Sequence, residues 1–427
     1  MRVYLKSLGC KLNQSEMESL ARQFVAAGYE LVGSAETADL CVLNTCTVTH
    51  VAARKSRQAI HRLRRLNPDA HLVVTGCYAE LAAEPFEADL VVGSEDKARL
   101  LELVQAASSR QSATEPSGPA ANARPAFART RAFVKIQDGC DNACTYCIVR
   151  VARGRQRSRP RDEVLGEVRA RVSEGYKEVV LTGVHVGAYG RDADGDSQDS
   201  LPSLVTAILA ETAVLRLRLS SIEPWDLSPD FFELWRDPRM CRHLHLPLQS
   251  GCDATLRRMG RRYSTDTFAQ LVTTAREAIP GVAITTDLIV GFPGESEEEF
   301  AASREFVSGM AFARLHVFPY SMRPGTVAAA MPHQVPHAVK KARAKQMTDL
   351  GRRGAMRFRQ VFTGRTLEVL WEHRGVSGQG RTWSGLTDNY IRVTTVSEGD
   401  LTNVLLPTRL VAVTPAGMRG VPLRCSS

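Results

Sequence analysis

No stretch of this 427-residue chain stays apolar long enough to span a bilayer, and its opening, MRVYLKSLGC, lacks the apolar core of a secretory leader. Membrane-spanning and exported classes are set aside, and a cytoplasmic location is the expectation. Low-complexity sequence is equally scarce. Hydrophobic residues make up 44% and charged residues 24%, ordinary for folded protein, so wholesale disorder is excluded. Acid is in short supply relative to base: 55 Lys and Arg against 46 Asp and Glu leave a net charge of +9, which suits a polyanionic partner.

Cysteine, by contrast, is plentiful. Ten cysteines in a reducing compartment point to metal binding rather than disulfides. Cys140, Cys144 and Cys147 stand as C-x3-C-x2-C in VKIQDGCDNACTYCIVRVARGRQRSR. Three thiolates this close hold three irons of a 4Fe-4S cluster, which usually takes four cysteines, and leave one iron open to another ligand. A zinc knuckle is the competing structure. It needs a fourth protein ligand, and the nearest histidine, His185, lies far outside zinc-site spacing. The triplet, with Tyr146 just before its last cysteine, resembles the signature of the radical S-adenosylmethionine (SAM) enzymes. That resemblance implies that SAM chelates the open iron and is cleaved reductively to a 5'-deoxyadenosyl radical.

Residues 1–104 alternate short apolar runs (VYLKSLG, DLCVLN, HLVVTG, DLVVG) with amphipathic helical patterns, which predicts a parallel α/β domain. Cys10, Cys46 and Cys77 each follow a predicted strand, in LGC, NTC and TGC. Loops at the carboxyl ends of parallel strands converge on one sheet edge, so three distant cysteines can meet there. The alternative is small buried residues, the reading given to Cys41, Cys241, Cys252 and Cys425.

Residues 105–126, rich in Ser, Pro, Ala and Gly without periodicity, read as a flexible linker. Over 127–357, six apolar strands (AFVKIQ, EVVLTG, LRLRLSS, HLHLPLQ, AITTDLIVGF, ARLHVFPY) separated by helical patterns predict a whole or partial parallel β/α barrel, with the triplet after its first strand on the active face. From 358 to 427, short alternating strands punctuated by Gly, Asp-Asn and Pro predict a small all-β barrel suited to RNA. Basic residues gather in three stretches, Arg54–Arg65, Arg150–Arg161 and Lys340–Arg359. Each alone is a solvated helix face; together they fit a nucleic acid.

The segments SLGCKLNQSEMESL, LNTCTVTHVAARKSRQAI, VVTGCYAE, DGCDNACTYCIVRVARGRQRSR, LTGVHVGAYG, HLHLPLQSGCDATLRRMGRRY, TTDLIVGFPGESEEEF and HVFPYSMRPGT together resemble the methylthiotransferase family of radical SAM enzymes over nearly the whole chain. The last segment resembles that family's TRAM domain. The resemblance implies a SAM-cleaving cluster on Cys140, Cys144 and Cys147, and an auxiliary 4Fe-4S cluster on Cys10, Cys46 and Cys77 that handles sulfur. It implies SAM as both methyl donor and radical source, and a reducing donor such as flavodoxin or ferredoxin. Tyr146, Gly183, Glu223, Gln249 and Ile289 fall where SAM is expected to lie, although barrel packing accounts for each equally well. The Gly-Gly-Glu common after the second strand is replaced by Thr182, Gly183 and Val184, which leaves the group that holds the SAM amine open. His185, in the same turn, reads as a hydrogen-bonding scaffold.

Three family targets compete: isopentenyl-modified adenosine in tRNA, threonylcarbamoyl-modified adenosine in tRNA, and an aspartate of a ribosomal protein. GCKLNQ and IVRVARGRQRSR look most like the threonylcarbamoyl branch. The basic stretches favour tRNA over a ribosomal protein that is itself basic. The implied product carries a methylthio group on carbon 2 of the modified adenine beside the anticodon, where an sp2 C–H bond is too weakly acidic for base chemistry. A different class also fits: a non-catalytic iron-sulfur RNA-binding protein that senses redox state.

Overall fold

Residues 1–82, 86–108, 130–192, 199–377 and 380–423 are described by a computed structural model. The linker expected over 105–126 lies outside them from residue 109 onward, as does Cys425.

The amino-terminal unit is one parallel sheet in the order β2-β1-β3-β4-β5. Its strands are β1 (Arg2–Ser7), β2 (Glu30–Leu31), β3 (Leu40–Thr45), β4 (His71–Gly76) and β5 (Leu90–Val92). All except the two-residue β2 are the apolar runs legible in the sequence. β3 is buried along its whole length, as a central parallel strand covered on both faces must be. Helices α1 (Lys11–Ala26), α2 (His50–Leu66), α3 (Cys77–Leu81) and α4 (Leu100–Ser108) connect the strands and follow the last of them. In α2 the spacing of Ala53, Ser56, Ala59, Ile60 and Leu63 builds one buried face. Arg54, Lys55, Arg57, Arg62 and Arg65 face solvent on the other side. Thr49 starts the helix by accepting a hydrogen bond from the Ala52 amide at 3.1 Å.

The central unit is an open six-stranded barrel. β6 (Arg131–Lys135), β9 (Glu178–Thr182) and β10 (Arg216–Leu219) pair in parallel, as do β11 (His243–His245), β12 (Ala283–Val290) and β13 (Arg314–Pro319). Parallel bridges Leu217–Met240 and Ser221–His245 join the two sheets. A short antiparallel ribbon, β7 (Gln137–Asp138) with β8 (Arg157–Ser158), brackets the cysteine loop and helix α5 (Val149–Arg153). Outside the strands run α6 (Arg161–Ser173), α7 (Leu201–Glu211), α8 (Asp253–Arg258), α9 (Thr265–Ala278) and α10 (Glu297–Gly309). The six strands are the six apolar runs read from the sequence. The free edge of β6 is shielded by α1, whose Ser15 hydroxyl donates to the Phe133 carbonyl at 2.8 Å.

Helix α11 (His337–Gln360) runs past residue 358 and hands the chain to a closed barrel of β14 (Thr366–Ser377), β15 (Gly380–Thr387), β16 (Arg392–Val396), β18 (Gly417–Pro422) and β17 (Leu405–Thr414). The carboxyl-terminal segment supplies β18, which lies between β16 and β17 in this barrel, and the barrel as a whole meets the central unit. It docks on the floor of the central barrel through arginines. Buried Arg218 pairs with Glu178 at 2.7 Å and donates to the Asp388 carbonyl at 2.8 Å, while Arg242 pairs with the Asp388 carboxylate at 2.5 Å. No helix among the described residues is long and apolar enough to cross a membrane.

Candidate active site

Parallel strands β1, β3 and β4 are neighbours, and Cys10, Cys46 and Cys77 lie at their carboxyl ends. Asn13 ties two of these loops together, its amide donating to Leu8 O at 2.7 Å and Thr45 O at 3.0 Å. Ser56, on the buried face of α2, clamps Cys46: it donates to the Cys46 carbonyl at 2.9 Å and accepts from its amide at 3.1 Å. Gly9 has φ +107°, and a Cβ there would stand 2.8 Å from the Cys46 Cβ. The LGC motif therefore demands glycine both for its backbone and for its closeness to the second cysteine. Burial holds the Cys46 thiol up, and the neighbouring Cys10 and Cys77 each push it further the same way.

The second group sits at the mouth of the central barrel. The Cys147 amide donates to Cys144 O at 3.1 Å, and Cys140 N donates to Gly154 O at 3.2 Å. Thr145 is pinned through its amide and hydroxyl to the carbonyls of Met259 and Arg258, at 3.1 and 2.8 Å. All three thiols are free and partly exposed. Burial pushes Cys147 up to about 12 and Cys46 up to about 11, so each keeps its proton until a metal cation takes the proton's place. Two sets of three soft donors, each beside a buried guanidinium, fit iron-sulfur ligation.

Those guanidiniums were missed in the sequence. Arg153, in the basic stretch Arg150–Arg161, is almost wholly buried rather than facing RNA. It donates to Cys77 Sγ at 3.3 Å, Asn13 Oδ1 at 2.6 Å, Glu16 Oε1 at 2.9 Å and Asp138 Oδ1 at 2.9 Å. Glu16 also takes the buried Lys97 ammonium at 2.7 Å. Burial opposes ionisation of Glu16, but Lys97, Arg153 and Lys135 outweigh it and hold the carboxyl well below its ordinary range. Arg153 ends the helix that starts just after Cys147, so its side chain holds Cys77 while the backbone of the next residue, Gly154, accepts from the Cys140 amide. The second buried guanidinium, Arg261, donates to Cys144 Sγ at 3.4 Å, pairs with Glu223 and lies 4.6 Å over the Trp225 ring.

The residues expected around SAM gather here in part. Tyr146 packs edge-on against Phe292, with ring centres 6.4 Å apart, in a cluster that includes Ile289 and Tyr320. Glu223 reaches the triplet through Arg261. Gly183 abuts Gln137, which would lie 3.0 Å from an added Cβ. Gln249 has φ +64° and bridges β12 through its backbone, donating to Asp287 O and accepting from Ile289 N, both at 2.8 Å. His185 makes the hydrogen bonds of a scaffold residue, close to the triplet. Its Nε2 lies 2.6 Å from Asp226 and its Nδ1 3.2 Å from Asn142. Burial alone would lower this imidazole; hydrogen bonds to Asp226 and Cys140 outweigh burial and raise it to about 9. Of the cysteines read as packing residues, Cys41 and Cys241 are buried, whereas Cys252 is partly exposed just ahead of α8.

Residues 134–307 match the model of the radical SAM superfamily, and residues 2–93 match the uncharacterized protein family UPF0004. The chain is 39% identical, over 96% of its length and 93% of the relative's, to a threonylcarbamoyladenosine tRNA methylthiotransferase MtaB of Bacillus subtilis. The chain belongs to the radical SAM methylthiotransferases. A second MtaB, from Thermotoga maritima, is 36% identical over 91% of this chain and 90% of its own. A tRNA-2-methylthio-N(6)-dimethylallyladenosine synthase of Novosphingobium aromaticivorans is 35% identical, covering 87% and 86%. Among solved structures, the radical SAM methyltransferase TsrM of Kitasatospora setae, with cobalamin and a 4Fe-4S cluster bound, superposes with a TM-score of 0.58 at 18% identity, over 77% of each chain. That likeness is one of fold. As a radical SAM methylthiotransferase, the protein uses SAM and a 4Fe-4S cluster.

Proposed function

We propose that this protein attaches a methylthio group to carbon 2 of threonylcarbamoyladenosine beside the anticodon of tRNA. The observation that carries the reading is the pair of three-cysteine groups, one at the carboxyl ends of β1, β3 and β4 and one at the mouth of the central barrel, in a chain whose similar relatives include threonylcarbamoyladenosine tRNA methylthiotransferases. Cys140, Cys144 and Cys147 hold the cluster that cleaves SAM; Cys10, Cys46 and Cys77 hold a second cluster that carries the sulfur. When bound, the first cluster with SAM supplies a carbon radical able to remove hydrogen from an sp2 carbon. The chain's own part is positional. Arg153 and Arg261 offset thiolate charge at Cys77 and Cys144, His185 is held beside the triplet by Asp226 and Asn142, and Tyr146 and Ile289 wall the SAM side of the lumen. A flavodoxin or ferredoxin class of donor supplies the electron. Mass spectrometry of tRNA nucleosides from a strain lacking the protein tests the assignment: methylthio-threonylcarbamoyladenosine should vanish, whereas loss of the isopentenyl analogue instead would refute it.

Helix α11 carries exposed arginines available to a phosphate backbone. Arg352 is 74% exposed, and Arg353 and Arg357 are exposed beside it. Arg359 is different: it donates to the Thr414 and Pro415 carbonyls at 3.1 and 3.2 Å and so locks α11 to β17. Reversing Arg352, Arg353 and Arg357 together is expected to weaken tRNA binding and reduce the slope of log affinity against log salt by about two to three. A salt titration with an unchanged slope would remove these residues from the interface.

Gly9→Ala gives a sharper structural test. The new methyl cannot fit against Cys46, so reconstituted iron is expected to fall from about eight to about four per chain, read by iron and sulfide analysis. Retention of the full complement would contradict the placement of a cluster on this trio.

A further inference from the structure

The barrel lumen holds a polar cluster that neither cysteine group uses. Ile284, Leu288 and Val290 of β12 pack outward into the apolar core. Strand alternation therefore turns Thr285, Asp287 and Ile289 into the lumen. On β11 the core residue Leu244 leaves His243 and His245 facing inward, and on β13 the core contacts of Leu315 and Val317 leave His316 facing inward. His245 Nε2 and His316 Nδ1 stand 3.3 and 3.1 Å from the same atom, Asp287 Oδ1, and the two rings stack at 5.4 Å. His245 Nδ1 lies 2.9 Å from Thr285 Oγ1. Beneath, His243 lies 3.1 Å from the same Thr285 hydroxyl and stacks at 4.5 Å on Tyr390 of the carboxyl-terminal barrel. Above, Ile289 joins the Tyr146 cluster beside the cysteine triplet. Two residues of strand separate Asp287 from Ile289, a drop of about 7 Å from the mouth.

Both nitrogens of His245 are engaged, by Asp287 and Thr285. His316 spends only Nδ1 on Asp287; its Nε2 has no hydrogen-bond partner among the described residues, and its side chain is 38% exposed. The three ligand atoms lie within 4.8 Å of one another, but both imidazoles aim at one carboxylate oxygen. That is the arrangement of two donors on an acceptor, rather than of three ligands around a common point.

We propose that His316, oriented by Asp287 and stacked on His245, reads the polar group on N6 of the target adenine through its free Nε2. This rests on the threonylcarbamoyladenosine reading. C2 and C6 of adenine both adjoin N1, so a purine that presents C2 to the mouth projects its N6 substituent from the same edge, into the lumen. With Nδ1 donating to Asp287, Nε2 of the neutral ring is an acceptor, and a threonylcarbamoyl group brings a hydroxyl and a ureido N–H able to donate to it. An isopentenyl group would displace water from that edge and offer it no partner, so the isopentenyl base loses what the threonylcarbamoyl base gains.

The test compares anticodon stem-loops that differ only in the target base: threonylcarbamoyladenosine, isopentenyladenosine and plain adenosine. Methylthio product is measured under anaerobic single-substrate kinetics, with stem-loop binding measured in parallel. Wild-type protein should prefer the threonylcarbamoyl loop. His316→Phe should lower kcat/KM for that loop about tenfold to a hundredfold relative to the plain loop, and His316→Gln, which keeps a polar edge, should restore most of the preference. His245→Gln should show a smaller loss in the same ratio. Equal losses on all three loops, or an unchanged ratio, would overturn the assignment to His316. So would a stoichiometric non-iron metal that His316→Phe removes. A wild-type preference for the isopentenyl loop would instead overturn the substrate reading itself, a separate result.

Discussion

Arg153→Met is expected to cost the protein about 3–5 kcal/mol of stability, because it leaves Glu16 and Asp138 charged and buried with their central partner gone. Neither carboxylate is left wholly alone: Lys97 stays on Glu16 and Lys135 stays 2.6 Å from Asp138. Neither ammonium, however, hydrogen-bonds Cys77 or Asn13 among the described residues. The loss should therefore appear at the junction between the amino-terminal sheet and the open barrel, as a lower first unfolding transition and faster proteolysis after α4. Arg153→Lys should recover only part of it, since one ammonium cannot reach the four acceptors that a planar guanidinium reaches. Thermal denaturation under anaerobic conditions checks both variants. A melting profile unchanged by the methionine would mean that the network is not what joins the two units. Glu16 adds a pH dependence. Its carboxyl is depressed in the folded protein, so its contribution is present above the ordinary carboxylate range and is lost as the pH falls through the depressed value. The same junction should therefore loosen first in acid.

The second large effect separates the two cysteine groups. Cys147→Ala should abolish 5'-deoxyadenosine formation outright, and with it every trace of methylthio product. Cys46→Ala should still form 5'-deoxyadenosine and make no methylthio product. Anaerobic reconstitution with SAM and dithionite, followed by chromatography of nucleosides, distinguishes these. Methylthio product from Cys46→Ala at near wild-type levels would eliminate the sulfur-carrying role of the amino-terminal trio. Absence of 5'-deoxyadenosine from the wild-type protein would favour the non-catalytic redox sensor.

Much of this was legible in the chain because cysteine spacing and strand periodicity are local signals. Ten apolar runs became ten strands, and the cysteines that follow them fell at carboxyl ends, as parallel topology requires. What stayed hidden is long-range pairing of charge. Arg153 sits in a run of arginines that looks uniformly exposed, yet Gly154 at φ +70° ends α5 after a single turn, and that turn carries Arg153 inward beside α3. Nothing in the run marks one arginine as different, because its partners Asn13, Glu16 and Cys77 are far off in sequence. Arg359 escaped for the same reason, its acceptors being backbone carbonyls that no side-chain pattern announces. His185 was read as a hydrogen-bonding scaffold, and it bonds Asp226 and Asn142 as such a residue does; which residues it would meet was not legible, because Asp226 lies on a different strand's loop. The lumen triad was not legible, because His245, Asp287 and His316 come from three different strands and meet only through their register.

Tyr390 carries one last implication. It belongs to the carboxyl-terminal barrel, yet it stacks under His243 with the Arg218 and Arg131 guanidiniums 4.7 and 5.7 Å from its ring. The chamber in which a base would be modified is thus floored by the module that would hold the rest of the RNA. Such an enzyme is not a catalytic core with a detachable handle, and exchange of the terminal module between family branches is constrained: a transplanted barrel must bring its own stopper, or the chamber floods from below.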